Sequence, residues 1–208
     1  MGPVEDGEIE AGLGLIASPA AVSGGLPAAY LGASFWPGGE IGLAATSFLL
    51  GPGGDLRAGQ RLWAGERLRV DVLGGVGVAW SEADGQFYTR AAYDADGDGV
   101  QDVAVSPVTR HYSYLSFAPS AGARLSWTPS RHWVVPVSTR VAHAFIVPVS
   151  GLGEEAQREI TWVDLDVAGV LRTERHLELG LGLGGLCAFE GDRVMPLPRA
   201  GLSVGFRW

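Results

Sequence analysis

The chain contains no lysine, so all fifteen of its basic residues are arginine. Aspartate and glutamate outnumber them, and the formal net charge is -8. A chain with this excess of acid lacks the clustered positive charge that binding to a phosphate backbone requires. We therefore expect no nucleic-acid partner.

Cysteine and long apolar runs are equally scarce. The single cysteine, Cys187, excludes an intramolecular disulfide framework and a cysteine-based zinc site. No run approaches the about 20 consecutive apolar residues that a membrane helix needs. Residues 1–8 also lack the basic-then-apolar pattern of a secretory signal peptide. If the protein is exported, we expect Met1 to stand in place of a removed signal.

What the chain does contain is apolar residues in alternation. They make up 47% of the chain, and there are 32 glycines besides. Residues 197–208 read L-P-R-A-G-L-S-V-G-F-R-W. Every second residue back from the terminus is apolar, from Trp208 through Phe206 and Val204 to Ala200, which predicts a strand with one apolar face. A strand at the chain end needs a neighbour for its edge, and closing the sheet into a barrel supplies one.

The same alternation predicts nine further strands, which begin near Ile9 and continue at residues 28–36, 40–50, 67–80, 86–93, 112–127, 133–147, 160–172 and 177–190. We expect residues 51–66 to form a long glycine-rich loop, residues 81–85 a turn and residues 191–196 the last loop. Residues 37–39, 81–85, 128–132 and 173–175 are short connections that alternate with longer ones. Short turns on one rim and long loops on the other are typical of membrane barrels.

These patterns predict one all-β domain over residues 1–208, a closed antiparallel up-and-down transmembrane β-barrel of about ten strands. An eight-stranded barrel is the alternative. Trp80, Trp127, Trp133 and Trp208 share the outward face and fall at the predicted short-turn rim. Interfacial aromatic belts explain that clustering, whereas a soluble β-sandwich predicts no preference for one rim.

The closing residues R-A-G-L-S-V-G-F-R-W resemble the C-terminal targeting strand of small Gram-negative outer-membrane β-barrel proteins. Trp208 stands where phenylalanine is commoner in that family, and Ser203 stands where it prefers glycine. The resemblance implies residence in the bacterial outer membrane, with the lipid bilayer and the barrel-assembly machinery as partners. It implies no particular activity.

Charged residues fall on the opposite, inward face of the predicted strands. Seven acidic positions there face seven arginines, which favours an ion-paired lumen over an open channel in so narrow a barrel. A narrow, porin-like conduit is the alternative. The predicted lumen network consists of Arg67, Arg69, Asp71, Arg124, Arg140, Asp164, Asp166, Arg172, Glu178, Arg199 and Arg207, with Glu8, Glu10 and Glu40 on the same face.

One acidic loop resembles calcium-binding loops of the EF-hand and related types. Carboxylates at loop positions 1, 3, 5 and 9 surround a glycine at position 6, and a backbone carbonyl supplies position 7. Position 12, where such loops place glutamate, is Val105. The candidate calcium ligands are Asp94, Asp96, Asp98, Val100 and Asp102; a solvated acidic turn is the alternative.

Catalytic signals are weak. His111-Tyr112-Ser113 is similar to the His-x-Ser motif of outer-membrane lipid A deacylases, but Tyr114 and Leu115 depart from the residues that follow it there. The sequence therefore favours a non-enzymatic outer-membrane barrel with a structural, interaction or narrow-pore role. A lipid-modifying hydrolase and a soluble barrel carrying an apolar ligand are the alternatives.

Overall fold

A computed structural model describes residues 6–17, 26–47, 52–93, 102–150, 158–174 and 176–208. Because apolar and polar residues alternate along them, these segments adopt extended structure with two unlike faces. Ten strands form: β1 (Ile9–Ala17), β2 (Leu26–Trp36), β3 (Gly39–Ser47), β4 (Pro52–Ala64), β5 (Leu68–Tyr93), β6 (Asp102–Ser130), β7 (Trp133–Ser150), β8 (Arg158–Arg172), β9 (Leu177–Glu190) and β10 (Arg193–Arg207).

The ten strands close into one antiparallel barrel in which each strand pairs with its neighbours in sequence. The first and last strands complete the circle, with Ala11 opposite Phe206 and Leu15 opposite Leu202. The C-terminal strand is therefore covered on both edges, as its alternation required. The predicted fold class and the count of ten strands are confirmed. Within the described residues, no helix is long and apolar enough to cross a membrane.

The prediction of a glycine-rich loop over residues 51–66 was wrong. Residues 52–64 form β4, which pairs with β3 through Leu43 and Leu56 and with β5 through Leu56 and Val76. Glycine weakens a strand in isolation, but a strand with partners on both sides gains a full set of ladder hydrogen bonds.

The predicted turn at residues 81–85 was also wrong, since β5 and β6 run through it as one long ladder from Leu68 opposite Trp127 to Tyr93 opposite Asp102. Among the described strands, β4 accompanies β5 only as far as Ala79, and β7 accompanies β6 only from Ser113. Residues 80–93 and 102–112 thus form a two-stranded ribbon beyond the barrel wall, roughly 40 Å long at about 3.3 Å per residue. The two strands predicted at residues 67–80 and 86–93 are therefore a single strand, β5, and the unpredicted β4 brings the total back to ten.

Pro119 and Pro136 lie inside β6 and β7, where a missing N–H removes a ladder bond. The β6–β7 register skips from Phe117 to Ser120, and the β7–β8 register skips from Val134 to Val137. Each proline is therefore accommodated where the ladder is interrupted on one side.

The connections define two rims. The turn rim carries the short connections 37–38, 65–67, 131–132 and 173–176, together with the start of β1 and the end of β10. The loop rim is the opposite end, where four of the connections lie outside the described residues. The fifth is a two-residue turn, because β10 begins at Arg193 and Gly191 adopts a φ of 55°. The predicted loop over residues 191–196 was therefore too long.

Candidate functional site: the barrel lumen

The two faces of the barrel wall differ sharply in chemistry. Leu13, Leu181 and Leu183 on the outward face are more than half exposed, whereas Glu10 and Asp71 on the inward face are 0% exposed. Charged side chains therefore point to the barrel axis and large apolar side chains point away from it. This is the inverse of a water-soluble barrel that would carry an apolar ligand.

A first ion-pair cluster in the lumen is built around Asp71 on β5. Its Oδ1 accepts from Nε of Arg69 at 2.6 Å, and its Oδ2 accepts from Nε and Nη2 of Arg124 on β6, both at 3.0 Å. Nη2 of Arg124 also donates to Oε2 of Glu40 on β3 at 2.8 Å. Two acids and two arginines from three strands thus neutralise one another in a buried setting.

A second cluster crosses the lumen. Arg140 on β7 donates from Nη1 to Oδ2 of Asp55 on β4 at 2.7 Å and from Nε to Oδ2 of Asp164 on β8 at 3.0 Å. Strands β5 and β6 separate β4 from β7 along the wall. The Asp55–Arg140 bridge is therefore a strut between separate parts of the wall. Asp55 also accepts from Arg57, and Arg199 on β10 bonds Asp166 and lies 3.2 Å from Asp164.

A third cluster lies at the seam where β1 meets β10. Arg207 donates to Oε2 of Glu8 at 2.8 Å and to Glu178 on β9, which also accepts from Nε of Arg172 at 2.8 Å. The carboxylate of Glu10 is fully buried, 4.0 Å from the Arg207 guanidinium. The seam joins the first and last strands and is held by charges on or next to β1, β8, β9 and β10.

Tyr30 on β2 spans this seam, and two glycines make room for it. A Cβ added to Gly12 on β1 would collide with its ring, and a Cβ added to Gly205 on β10 would collide with its hydroxyl. The absence of side chains at these two positions lets the Tyr30 side chain approach the backbones of β1 and β10 closely.

The structure brings ten of the eleven predicted network residues into these clusters. Arg67 is the exception: it precedes β5 at the turn rim and its side chain is exposed. Asp55 and Arg57 belong to the network but were assigned to the predicted loop. Their spacing in D-L-R, with Leu56 between them, carried the same signal of inward charge and outward leucine.

Towards the loop rim, the lumen becomes apolar. The buried residues there, on β6 to β9, are Ala118, Ala142, Ala144, Ile146, Ile160, Trp162, Leu186 and Ala188, with Tyr114, Met195 and Leu197 packed against them. We call this set the apolar cluster. It begins directly above the second ion-pair cluster, since Trp162 and Asp164 are successive inward residues of β8.

The outward face carries two belts of exposed aromatic side chains. At the turn rim they are Phe35, Trp36, Trp63, Trp127, Trp133, Phe206 and Trp208, and nearer the loop rim they are Trp80, Phe117, Phe145 and Phe189. Trp80 was predicted at the turn rim and lies in the other belt, because residues 81–85 form no turn. Phe117 and Trp127 mark the two belts on β6, and ten residues of a strand tilted by about 40° rise roughly 25 Å.

The predicted calcium ligands Asp94, Asp96, Asp98 and Val100 lie outside the described residues. Asp102 opens β6, but its side chain is not described. Among the described residues, no group of three or more His, Cys, Asp or Glu side chains could hold a metal ion.

Of the candidate hydrolase pair, Ser113 is buried on β6, and the side chain of His111 is not described. The calcium loop and the hydrolase both remain predictions.

A closed ten-stranded antiparallel barrel with an apolar exterior and a charged interior is the architecture of outer-membrane β-barrel proteins. No protein-family model matches the chain, and no curated protein sequence matches it.

Among solved structures, the outer-membrane protease OmpT of Escherichia coli is similar with a TM-score of 0.54 and 9% sequence identity, covering 100% of this chain and 98% of that one. The outer-membrane channel DcaP of Acinetobacter baumannii gives a TM-score of 0.39 and 9% identity, covering 94% of this chain and 54% of that one. The similarity to OmpT extends to the fold alone.

Proposed function

We propose that this protein is an integral β-barrel of a bacterial outer membrane with a sealed, non-conducting lumen and a structural or interaction role. The observation that carries the proposal is the facing of the wall, with buried ion pairs inside and exposed leucine, valine and tryptophan outside. An apolar exterior of this extent is stable in lipid and promotes aggregation in water.

The two aromatic belts support the membrane assignment. Tryptophan and phenylalanine at the edges of an apolar band roughly 25 Å tall match the girdles that mark the two interfaces of a membrane barrel. With the band between the belts in the bilayer, the β5–β6 ribbon stands clear of the membrane on the loop-rim side. That placement suits an interaction role.

The sealed lumen is supported by struts across it. The Asp55–Arg140 bridge and the Glu40–Arg124 bridge each join strands that are not neighbours in the wall. A barrel of this strand number is only slightly wider than one whose interior is filled by side chains. A narrow pore would need these bridges to open.

Two measurements test the proposal. The purified protein is expected to require detergent or lipid for solubility and to migrate differently on gels before and after heating. A protein that stays monodisperse in detergent-free buffer would contradict membrane residence. In planar bilayers we expect no discrete conductance steps, and regular steps from the wild-type protein would establish the narrow-pore alternative.

We also propose that residues 197–208 serve as the strand recognised by the barrel-assembly machinery. Trp208 is exposed at the turn rim, next to the β1–β10 seam. Changing Trp208 to Ser is expected to lower the amount of folded protein in outer membranes, with Trp36→Ser at the same rim as the control. An equal loss of folded protein in both variants would show that Trp208 acts only as an interfacial residue and not as a recognition signal.

A calcium site at Asp94, Asp96, Asp98, Val100 and Asp102 is a separate proposal, supported by the spacing of the carboxylates. Calorimetric titration with calcium should give saturable heat that Asp96→Asn abolishes and Asp84→Asn, outside the motif, leaves intact. Absence of heat at millimolar calcium would refute it.

A further inference from the structure

On the loop-rim side of the ion pairs, side chains fill the lumen along β6 to β9 but not along β2 to β5. Inward alanines on β6 to β9 are sealed, with Ala118 6%, Ala142 2% and both Ala144 and Ala188 0% exposed. On β2 to β5, the inward residues beside Asp55 are Ala44 and Gly77, and those beyond it towards the loop rim are Ala28 and Ala79. All four are only half-buried. Small side chains with accessible surface on an inward face indicate unfilled space along that wall.

A cationic group faces this space from below. Arg57 lies inward on β4, yet its side chain is 42% exposed. Its Nε and Nη2 both donate to Oδ2 of Asp55, which Arg140 also shares. Nη1 of Arg57 has no partner among the described residues. Arg57 is therefore held in position with donors still available to an anion.

The opposite side of the space is apolar. Tyr114, Met195 and Leu197 pack against the apolar cluster but are themselves only half-buried, so they present apolar surface to the lumen. Trp162 is 8% exposed, and its Nε1 has no hydrogen-bond partner among the described residues. A buried indole N–H without a partner is unfavourable unless a bound molecule or water accepts from it.

We propose that this half of the lumen binds an anionic single-chain amphiphile, with its carboxylate on Arg57 and its hydrocarbon chain between the small-residue wall and the apolar cluster. A single chain fits the narrow lumen, and a planar carboxylate matches the guanidinium fork. The ion pairs beneath close the path to the turn rim, so the ligand enters from the loop rim. The inference goes beyond the proposed function, which requires only a sealed barrel.

The test uses decanoate below its micellar concentration and the protein in lipid nanodiscs, with empty nanodiscs as the blank. We expect saturable binding by calorimetry, weakened about tenfold by Arg57→Gln, since a charge-assisted hydrogen bond is lost. Arg61→Gln is the matched control, because Arg61 lies on the same strand and also pairs with an aspartate, Asp6 at 2.8 Å. It should bind decanoate as the wild type does.

Two further arms separate charge from shape. Decan-1-ol should bind the wild type and Arg57→Gln equally, because it carries no charge for the arginine to recognise. Ala44→Phe should weaken binding of both ligands by filling the space. Heat-dependent gel migration checks that each variant is folded.

Absence of saturable binding beyond the blank, or equal binding by Arg57→Gln and Arg61→Gln, would overturn the inference. Failure of the protein to enter nanodiscs would instead count against membrane residence. Decanoate binding would then be measured in buffer.

Discussion

The two halves of the lumen face the same axis from the same strands, yet they hold the barrel together in different ways. Towards the turn rim, acids and arginines bridge strands in three clusters. Towards the loop rim, β6 to β9 carry a packed apolar cluster, and β2 to β5 present alanine and glycine. The two-residue period of a strand therefore decides which residues point into the lumen. Their position between the two rims decides whether they close the lumen or line an open space.

The turn-rim half should be the less tolerant to loss of a single group. Changing Asp71 to Ala removes the fully buried carboxylate between Arg69 and Arg124 and leaves the two guanidiniums to share Glu40. We expect the free energy of unfolding, from urea titration in lipid vesicles, to fall by about 3–5 kcal/mol. Asp166→Ala is the control, since the Asp166 side chain is 40% exposed and Arg199 keeps Asp164. Equal losses of unfolding free energy in the two variants would show that buried and accessible ion pairs contribute alike to stability.

In the loop-rim half, Leu186→Ala should create a cavity, because Leu186 is 3% exposed within the apolar cluster. The expected cost in the same titration is about 2–5 kcal/mol. Leu183→Ala on the outward face of β9 should cost less, because acyl chains can fill the space that it leaves. A larger loss for Leu183 would mean that the facing of β9 is inverted.

The seam where β1 meets β10 can be probed through Tyr30. Gly205→Ala should lower the free energy of unfolding by about 1–3 kcal/mol, because the new methyl group collides with the Tyr30 hydroxyl. Tyr30→Phe in the same chain should recover part of that loss in a double-mutant cycle. Gly201→Ala meets only the Leu15 carbonyl oxygen, at 3.4 Å, and serves as the control. If the effects of Gly205→Ala and Tyr30→Phe on the free energy of unfolding simply add, the cost of Gly205→Ala does not come from contact with Tyr30.

The smallest expected effect lies outside both halves, at the turn rim. The N–H of Gly38 donates to Asp6 at 2.9 Å and, with Arg61, lowers the pKa of that exposed carboxyl. A depressed pKa stabilises the folded state above the ordinary carboxyl pKa, and this contribution disappears as the pH falls through the folded-state value. Asp6→Asn should therefore be slightly less stable than the wild type near neutral pH and equal to it in acid. A constant difference at every pH would contradict this account.

The alternation of apolar and polar residues predicted the strands and their inward and outward faces best where the outward residues are large. The leucines of β9 at 179, 181 and 183 and the apolar positions of β10 were assigned correctly, as were the inward arginines 124, 140, 199 and 207. It failed where the pattern is sparse. Residues 52–60 carry only Leu56 as a large apolar outward side chain, so their pattern indicates a loop where the glycine-rich strand β4 forms.

Turn propensity gave one wrong prediction, the turn at residues 81–85. Residues 81–85 read S-E-A-D-G, a plausible turn, yet each pairs with a residue of β6 from Tyr114 to Arg110. A continuous ladder with a long partner outweighs a local preference.

The sequence by itself determined which side chains of the predicted strands face inward or outward and placed the charges on the axis side, because both follow from a two-residue period along each strand. The total of ten strands agrees only because β4 takes the place of the strand lost when residues 67–80 and 86–93 form one strand. The tertiary structure alone decided which charges meet. Glu40 and Arg124 are 84 residues apart, and Asp55 and Arg140 are 85 apart. Only closure of the sheet, with the stagger that its register imposes, brings such pairs to the same depth across the lumen.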